Sequence, residues 1–117
     1  MADFRKLRVW ERARIVVRAV YVATARFPGD ERHGLTSQAR RAAVSVAANL
    51  AEGSARRSGR EQARFYGIAL ASARELECLL VIAADLGWLA PGALAELEAA
   101  VNGVERMLMG LIAAVES

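Results

Sequence analysis

The stretch SGREQARFYGIALASARELECLLVIAADLG, residues 58–87, decides the fold of this chain. Apolar side chains recur in it every three or four positions, which is the spacing of one face of an α-helix. Ser58 and Glu61 form the S-x-x-E pattern of a helix start, and Gly87 stands where a helix commonly ends. The stretch therefore predicts a helix of about 28 residues, about 42 Å long at 1.5 Å per residue. Its predicted core positions are Phe65, Ala69, Ala73, Leu76, Leu80, Ala83 and Leu86.

Three further segments show the same helical spacing. The first ends before Pro28, because the residue that precedes a proline avoids helical geometry. The second is capped by Thr36 or Ser37 and runs to about Arg56, and the fourth has Pro91 in its first turn. The core positions predicted for the first and fourth helices are Trp10, Ala13, Val17, Val20, Thr24 and Phe27, and Leu94, Leu97, Val101, Val104, Leu108, Leu111 and Val115. The pattern predicts an all-α, up-down-up-down four-helix bundle, with residues 1–117 forming one domain.

Length and composition exclude several classes of protein. A chain of 117 residues with 55% hydrophobic residues suits one globular domain rather than a disordered segment. The longest uncharged runs, 42–51 and 86–95, are ten residues each and too short to span a membrane. The charged residues 1–8 contain no apolar signal region, so we expect a cytoplasmic location. One cysteine and one histidine exclude a disulfide scaffold and a zinc finger, and we expect no cofactor.

Positive charge is concentrated in the first half of the chain. Residues 1–64 carry 14 Lys and Arg against 6 Asp and Glu, whereas residues 65–117 carry 2 against 7. This asymmetry is typical of nucleic-acid contact or of self-association. The densest basic cluster lies at the junction of the second and third helices, where arginine side chains can reach phosphates; a solvated junction, partly paired with Glu52 and Glu61, is the alternative. The predicted residues for binding RNA or DNA are Arg40, Arg41, Arg56, Arg57, Arg60 and Arg64, with Arg8 and Arg12 as candidate additions.

A polar stripe runs along the otherwise apolar second helix. Its members step by three or four positions and span only about 80° of arc. They are Gln38, Arg41, Ser45, Asn49, Glu52 and Arg56. One interpretation is structural: Asn49 and Ser45 are hydrogen-bonded inside a helix-packing interface and fix its register. The other is a polar groove that binds a ligand or a partner strand.

Apolar residues also lie outside the predicted core positions. Ile15, Ala19 and Val22 share an arc of the first helix with several charged residues. The fourth helix carries further apolar residues outside its core positions and small residues seven positions apart; these are Met107, Met109, Ile112, Gly103 and Gly110. Because a helix in a monomeric bundle buries a single stripe, this excess predicts self-association through these residues. The alternative is that loops cover the excess or that it stays exposed, since single exposed apolar residues are normal.

No catalytic or metal site is predicted. His33 lies in a polar loop, and a lone histidine there is expected to be solvated. Cys78 stands among leucines and is predicted to be a small buried hydrophobe. The chain contains no Glu-x-x-His pair, the pattern that a di-metal site in a helical bundle requires.

The second helix also carries a recognisable pattern, GLTSQARRAAVSV at residues 34–46 followed by NLAEG at residues 49–53. It resembles the signature of a bacterial four-helix-bundle family encoded in intervening sequences of large-subunit ribosomal RNA genes. The flanking residues agree with the family over nearly the whole chain; they are Leu7, Val9-Trp10, Phe27-Pro28, Ile68-Ala69, Glu75-Leu76-Glu77 and Leu86-Gly87-Trp88. Ala47 departs from the family, which often has proline there, and this departure predicts a straighter second helix.

The resemblance implies a cytoplasmic bacterial bundle that assembles as a ring-like homopentamer and has no enzyme activity. The accessory variability determinant of diversity-generating retroelements looks like a relative; it is a basic pentamer that engages nucleic acid and a reverse transcriptase. Two functional hypotheses follow. The chain is a non-catalytic oligomeric scaffold for RNA, DNA or a nucleic-acid enzyme, or it is a protein- or small-ligand-binding bundle without a nucleic-acid role.

Overall fold

The computed structural model describes residues 3–117 and contains four long helices. They are α1 (Arg8–Thr24), α2 (Leu35–Ser54), α3 (Gly59–Asp85) and α4 (Pro91–Glu116). Short 3-10 turns precede α1 at Phe4–Lys6 and α2 at Gly29–Glu31. No strand occurs within residues 3–117, so the predicted all-α four-helix fold is confirmed.

Each helix runs antiparallel to the next. The end of α1 meets the start of α2, since Arg40 Nε donates a hydrogen bond of 2.9 Å to Thr24 Oγ1. Ser45 of α2 pairs with Ser72 of α3, and Gly59 at the start of α3 lies against Val115 near the end of α4. Over residues 3–117, α1 packs on α2 and α4 but not on α3. The helices therefore occupy the corners of a square prism of 43 × 24 × 20 Å, with α1 and α3 diagonally opposite.

Local sequence signals set the two ends of α3. The Ser58 side chain accepts a hydrogen bond from the Glu61 amide, as the capping pattern predicts. Gly87 has a φ of 81°, a conformation that glycine adopts without steric cost. The amides of Gly87 and Trp88 donate to the carbonyls of Ala84 and Ala83, which is the hydrogen-bond pattern of a Schellman motif.

The predicted cap of α2 is wrong. The helix begins at Leu35, so Thr36 and Ser37 lie inside its first turn, and Thr36 is buried. The Leu35 amide instead donates to Glu31 Oε1 at 2.9 Å. Glu31 belongs to the 3-10 turn in the preceding loop, and a cap supplied from there is invisible to a search for serine or threonine at the boundary itself.

The core follows the predicted positions of α3 with two corrections. Tyr66, not Phe65, is fully buried in the first part of the helix, and Leu86 is 53% exposed. Tyr66 fits because Gly53 of α2 has no side chain; a Cβ there would lie 2.7 Å from the Tyr66 ring. Phe65 is consequently left half-buried at the end of the bundle.

Candidate nucleic-acid interface

The arginine junction, comprising Arg56, Arg57, Arg60 and Arg64, lies where α2 passes into α3. All four side chains are exposed. The link between the helices is short, and it lies close against the end of α4. Only glycine permits this approach, because a Cβ on Gly59 would overlap the Val115 carbonyl oxygen. The backbone that carries these arginines is therefore fixed, while their side chains extend into solvent.

Phe65 holds two of the four arginines. The guanidinium carbons of Arg56 and Arg64 lie 4.7 and 4.5 Å from the centroid of its ring, which is cation–π geometry. The same two arginines pair with Glu52 and Glu61. Within residues 3–117, Arg57 and Arg60 form no ion pair. The junction thus contains two neutralised arginines and two whose charge is uncompensated.

Arg40 and Arg41 do not join this cluster. Arg40 lies near the start of α2 and Arg56 lies just beyond its end, sixteen positions later, a distance of about 24 Å at helical rise. Arg40 is half-buried, donates to Thr24 Oγ1, and lies over the Tyr21 ring at 4.5 Å. Its charge holds α2 against α1, whereas Arg41 is exposed beside a polar cavity.

The polar stripe follows the contact between α2 and α3. Ser45 and Ser72 share a hydrogen bond of 2.8 Å across the two helices. Asn49 Nδ2 donates to the Ser45 carbonyl at 2.9 Å and to Ser45 Oγ at 3.0 Å. The middle of the stripe is thus a chain of satisfied hydrogen bonds. Toward the start of α2 it borders an open polar cavity of about 330 Å³; the cavity is lined by Gln38, Arg41, Ala42, Ser45, Ser72 and Glu75.

An apolar groove lies on the opposite side of the bundle, between α1 and α4. Two adjoining cavities of about 690 and 390 Å³ share Ile15 and Ala100 in their lining. Val22, among the apolar residues predicted to lie outside the core, is 71% exposed here. The groove is bordered by arginines from both helices; they are Arg8, Arg12, Arg18, Arg26 and Arg106.

A buried carboxylate lies between α3 and α4. Glu105 is only 9% exposed, and its Oε2 atom has no hydrogen-bond partner among the described residues. Burial raises the pKa of Glu105, and the neighbouring carboxyl of Glu77 raises it further through a hydrogen bond and its charge. Arg74 and Arg106 act in the opposite direction on this pKa. In the sequence, this position could have been recognised as a glutamate among the apolar residues of the fourth helix.

The catalytic candidates stay apart. His33 is exposed in the loop before α2. Cys78 is exposed as well, so its predicted burial is wrong; it points away from the side of α3 that carries Leu76 and Leu80. No group of three or more potential metal ligands occurs within residues 3–117. None of the helices in that range has the length and apolarity needed to cross a lipid bilayer.

A sequence model of the 23S rRNA-intervening sequence proteins matches residues 5–110. The chain belongs to this family. A search of curated proteins finds no match. A crystal structure of a protein with unknown function, from the S23 ribosomal protein family of Bacteroides thetaiotaomicron, shares the fold with a TM-score of 0.80. The two chains are 19% identical, and the similarity covers 89% of this chain and 97% of the other.

Membership of the 23S rRNA-intervening sequence protein family confirms the resemblance read from residues 34–53. The relationship to the retroelement protein stays a prediction. Sequence reasoning located the arginine junction, because its four members are close together in the chain. It named Arg8 and Arg12 only as additions to that junction and missed the remaining arginines of the groove, because they come from two helices that are distant in sequence.

Proposed function

We propose that this intervening-sequence family protein is a cytoplasmic, non-catalytic helical bundle that self-associates and binds RNA or DNA through the phosphate backbone. The observation that supports this function best is the exposure of Arg57 and Arg60 without a carboxylate partner within residues 3–117. An uncompensated guanidinium attracts phosphate, and it forms paired hydrogen bonds with the phosphate oxygens. Five subunits are the number that the family resemblance favours.

The end of the bundle that carries the junction is basic beyond these two residues. Arg5 and Lys6 belong to the 3-10 turn before α1, and this turn packs on α2. Arg5 pairs with Asp3, whereas Lys6 forms no ion pair within residues 3–117. Because α1 and α2 are antiparallel, the start of α1 lies at the same end as the end of α2. Exposed cations from two segments therefore face one direction, which suits contact with a sequence-independent polyanion.

Fluorescence anisotropy with a short labelled RNA duplex, and with DNA of the same sequence, tests this function. Affinity should fall steeply between about 50 and 200 mM salt, because binding releases counterions from the phosphates. Replacing Arg57 or Arg60 with alanine should weaken binding to every sequence alike and reduce the magnitude of the salt slope by about one per arginine.

Arg32→Ala is the matched control, because Arg32 is an exposed arginine in the loop at the opposite end of the bundle. It removes the same charge and should leave the salt slope unchanged. Absence of binding at low salt, or an equal loss in Arg32→Ala and Arg57→Ala, would rule out the junction as the binding surface.

The second candidate is a bundle that binds a protein or a small ligand and has no nucleic-acid role. The apolar groove of about 690 Å³ between α1 and α4 favours it, because exposed apolar surface of this kind marks interaction sites. This function predicts no binding of the RNA or DNA duplex even at low salt, so the same titration separates the two candidates.

A further inference from the structure

Two apolar surfaces lie on different sides of the bundle. The first is the α1–α4 groove, whose floor contains the small residues Ala19, Ala93 and Ala100. The second is an apolar ridge on the outside of α3. The ridge consists of Cys78, Val81, Ile82 and Leu86, all exposed. Because α1 and α3 are diagonal in the square of helices, one molecule presents the groove and the ridge in different directions.

The charges around these two surfaces are complementary. Five arginines border the groove and form no ion pair within residues 3–117, and Glu96 is the single acid in its lining. The ridge is flanked by Glu75 and Asp85, which are exposed, and by the half-buried Glu77. Two basic residues lie near these acids: Arg41 lines the same polar cavity as Glu75, and Arg74 donates a weak hydrogen bond to Met109 Sδ.

The charge distribution determines how two copies can meet. A twofold contact would place the groove of one copy against the groove of the other, and the unpaired arginines of both would face each other. Like charges in such contact are repulsive, and burying them would add a desolvation cost. A groove placed on a ridge instead brings arginines to carboxylates and apolar side chains to apolar side chains.

We propose that the α1–α4 groove of one copy receives the α3 ridge of the next copy, head to tail. This inference rests on the self-association included in the proposed function and specifies the surfaces that perform it. A head-to-tail contact uses two different patches of each subunit and closes into a ring when the rotation between subunits permits. In a closed ring every arginine junction lies at the same height, so several phosphate-binding ends act on one nucleic acid together.

Mixing two defective variants tests the inference. The groove variant Arg12→Glu/Arg18→Glu keeps an intact ridge, and the ridge variant Cys78→Arg/Ile82→Arg keeps an intact groove. All four positions are exposed, so folding should be preserved, and circular dichroism checks this. By sedimentation velocity, each variant alone should be a monomer of about 12.6 kDa, because its own contact now joins like charges.

The equimolar mixture should form species of at least twice that mass. The intact groove of one variant meets the intact ridge of the other, and the reversed groove and reversed ridge also carry opposite charges. A mixture that stays monomeric, or a single variant that assembles like the wild type, would overturn the head-to-tail contact. A monomeric wild type would refute the proposed self-association itself, so the two failures are distinguishable.

Cross-linking provides a second measurement that does not depend on disrupting either surface. Val22 is 71% exposed at the groove, so Val22→Cys should fold normally. With the native Cys78 retained, a bis-maleimide should produce a ladder of covalent species, because the groove cysteine of one copy meets the ridge cysteine of the next. In Val22→Cys/Cys78→Ser the ladder should disappear. Strong covalent dimers in that double variant would show a twofold groove-to-groove contact and contradict the inference.

Discussion

The contact between α2 and α3 is closed, whereas the contact between α1 and α4 is open. Small residues bring α2 and α3 together, Gly53 leaves no room for a Cβ beside the Tyr66 ring, and Ser45 bonds to Ser72 across the contact. Between α1 and α4, by contrast, Val22 is exposed and a long groove remains. The α2–α3 side is therefore closed by direct packing, whereas the α1–α4 side leaves apolar surface available to a second molecule.

The largest expected effect on stability comes from replacing a glycine with alanine, once at the α2–α3 contact and once at the α1–α4 groove. Gly53→Ala places a Cβ 2.7 Å from the Tyr66 ring and 3.1 Å from Phe65 Cβ, so the helices must separate. We expect the free energy of unfolding to fall by about 1–3 kcal/mol. Gly103→Ala is the matched change in α4 at the groove, where a Cβ meets nothing within 4 Å. Because alanine favours a helix over glycine, it should raise the free energy of unfolding by about 0.5–1 kcal/mol.

Thermal and urea unfolding of the two glycine variants measure this contrast directly. Equal changes in both variants would show that the two sides of the bundle are equally tolerant, and the comparison between them would then be wrong.

Local signals explain which parts of the fold could be predicted from the sequence. Ser58, Gly87 and Pro91 act on the backbone within a few residues of themselves, and all three mark helix ends in the structure. The start of α2 was missed because Glu31 caps it from outside the helix. The burial of Tyr66 in place of Phe65 was missed because it depends on Gly53 in another helix.

The candidate site likewise has a part that the sequence predicts and a part that it does not. Arg56, Arg57, Arg60 and Arg64 are close in sequence, so their cluster was predictable from the chain alone. The position of Arg40 was not, because its partners Thr24 and Tyr21 come from α1 and occupy its guanidinium. The groove depends on the alignment of α1 with α4, which hydrophobic periodicity does not specify. The exposure of Cys78 has the same cause, since a leucine-rich stretch does not reveal which side of its helix lacks a neighbour.

A smaller effect is expected in the polar stripe. Asn49→Leu removes the two hydrogen bonds to Ser45 and introduces a branched side chain at the α2–α3 contact. The free energy of unfolding should fall by about 1 kcal/mol, while the nucleic-acid affinity of correctly assembled protein should be unchanged. Gln38→Leu, at an exposed position of the same stripe, is the control and should be neutral. Normal stability and assembly with lost binding in Asn49→Leu would instead identify the stripe as a binding groove.

The smallest effect concerns Glu105, at the contact between α3 and α4. Burial and Glu77 raise the pKa of this carboxyl above its ordinary value of 4.5, so the folded state binds its proton more tightly than the unfolded chain. The free energy of unfolding therefore falls as pH rises from that ordinary value through the raised pKa of Glu105 in the folded protein. Glu105→Gln removes this dependence and should be more stable at neutral pH by less than about 1 kcal/mol, because the amide still needs a partner.

Unfolding measurements across this pH range test the Glu105 prediction, with Glu98→Gln on the same helix as the control. The advantage of Glu105→Gln over the wild type should grow as pH rises. An advantage that stays constant or shrinks would show that Glu105 is not the group responsible.

Sedimentation velocity of the wild-type chain tests most directly the claim that the open side of the bundle is an interface. At micromolar concentration the protein should sediment as a homo-oligomer whose mass is a multiple of 12.6 kDa, and the family resemblance predicts five subunits. The groove variant Arg12→Glu/Arg18→Glu should lose this assembly, whereas a charge reversal at Arg32 should keep it. A single wild-type species at 12.6 kDa would show that the α1–α4 groove is not an interface between copies, because the groove would then be exposed in the monomer.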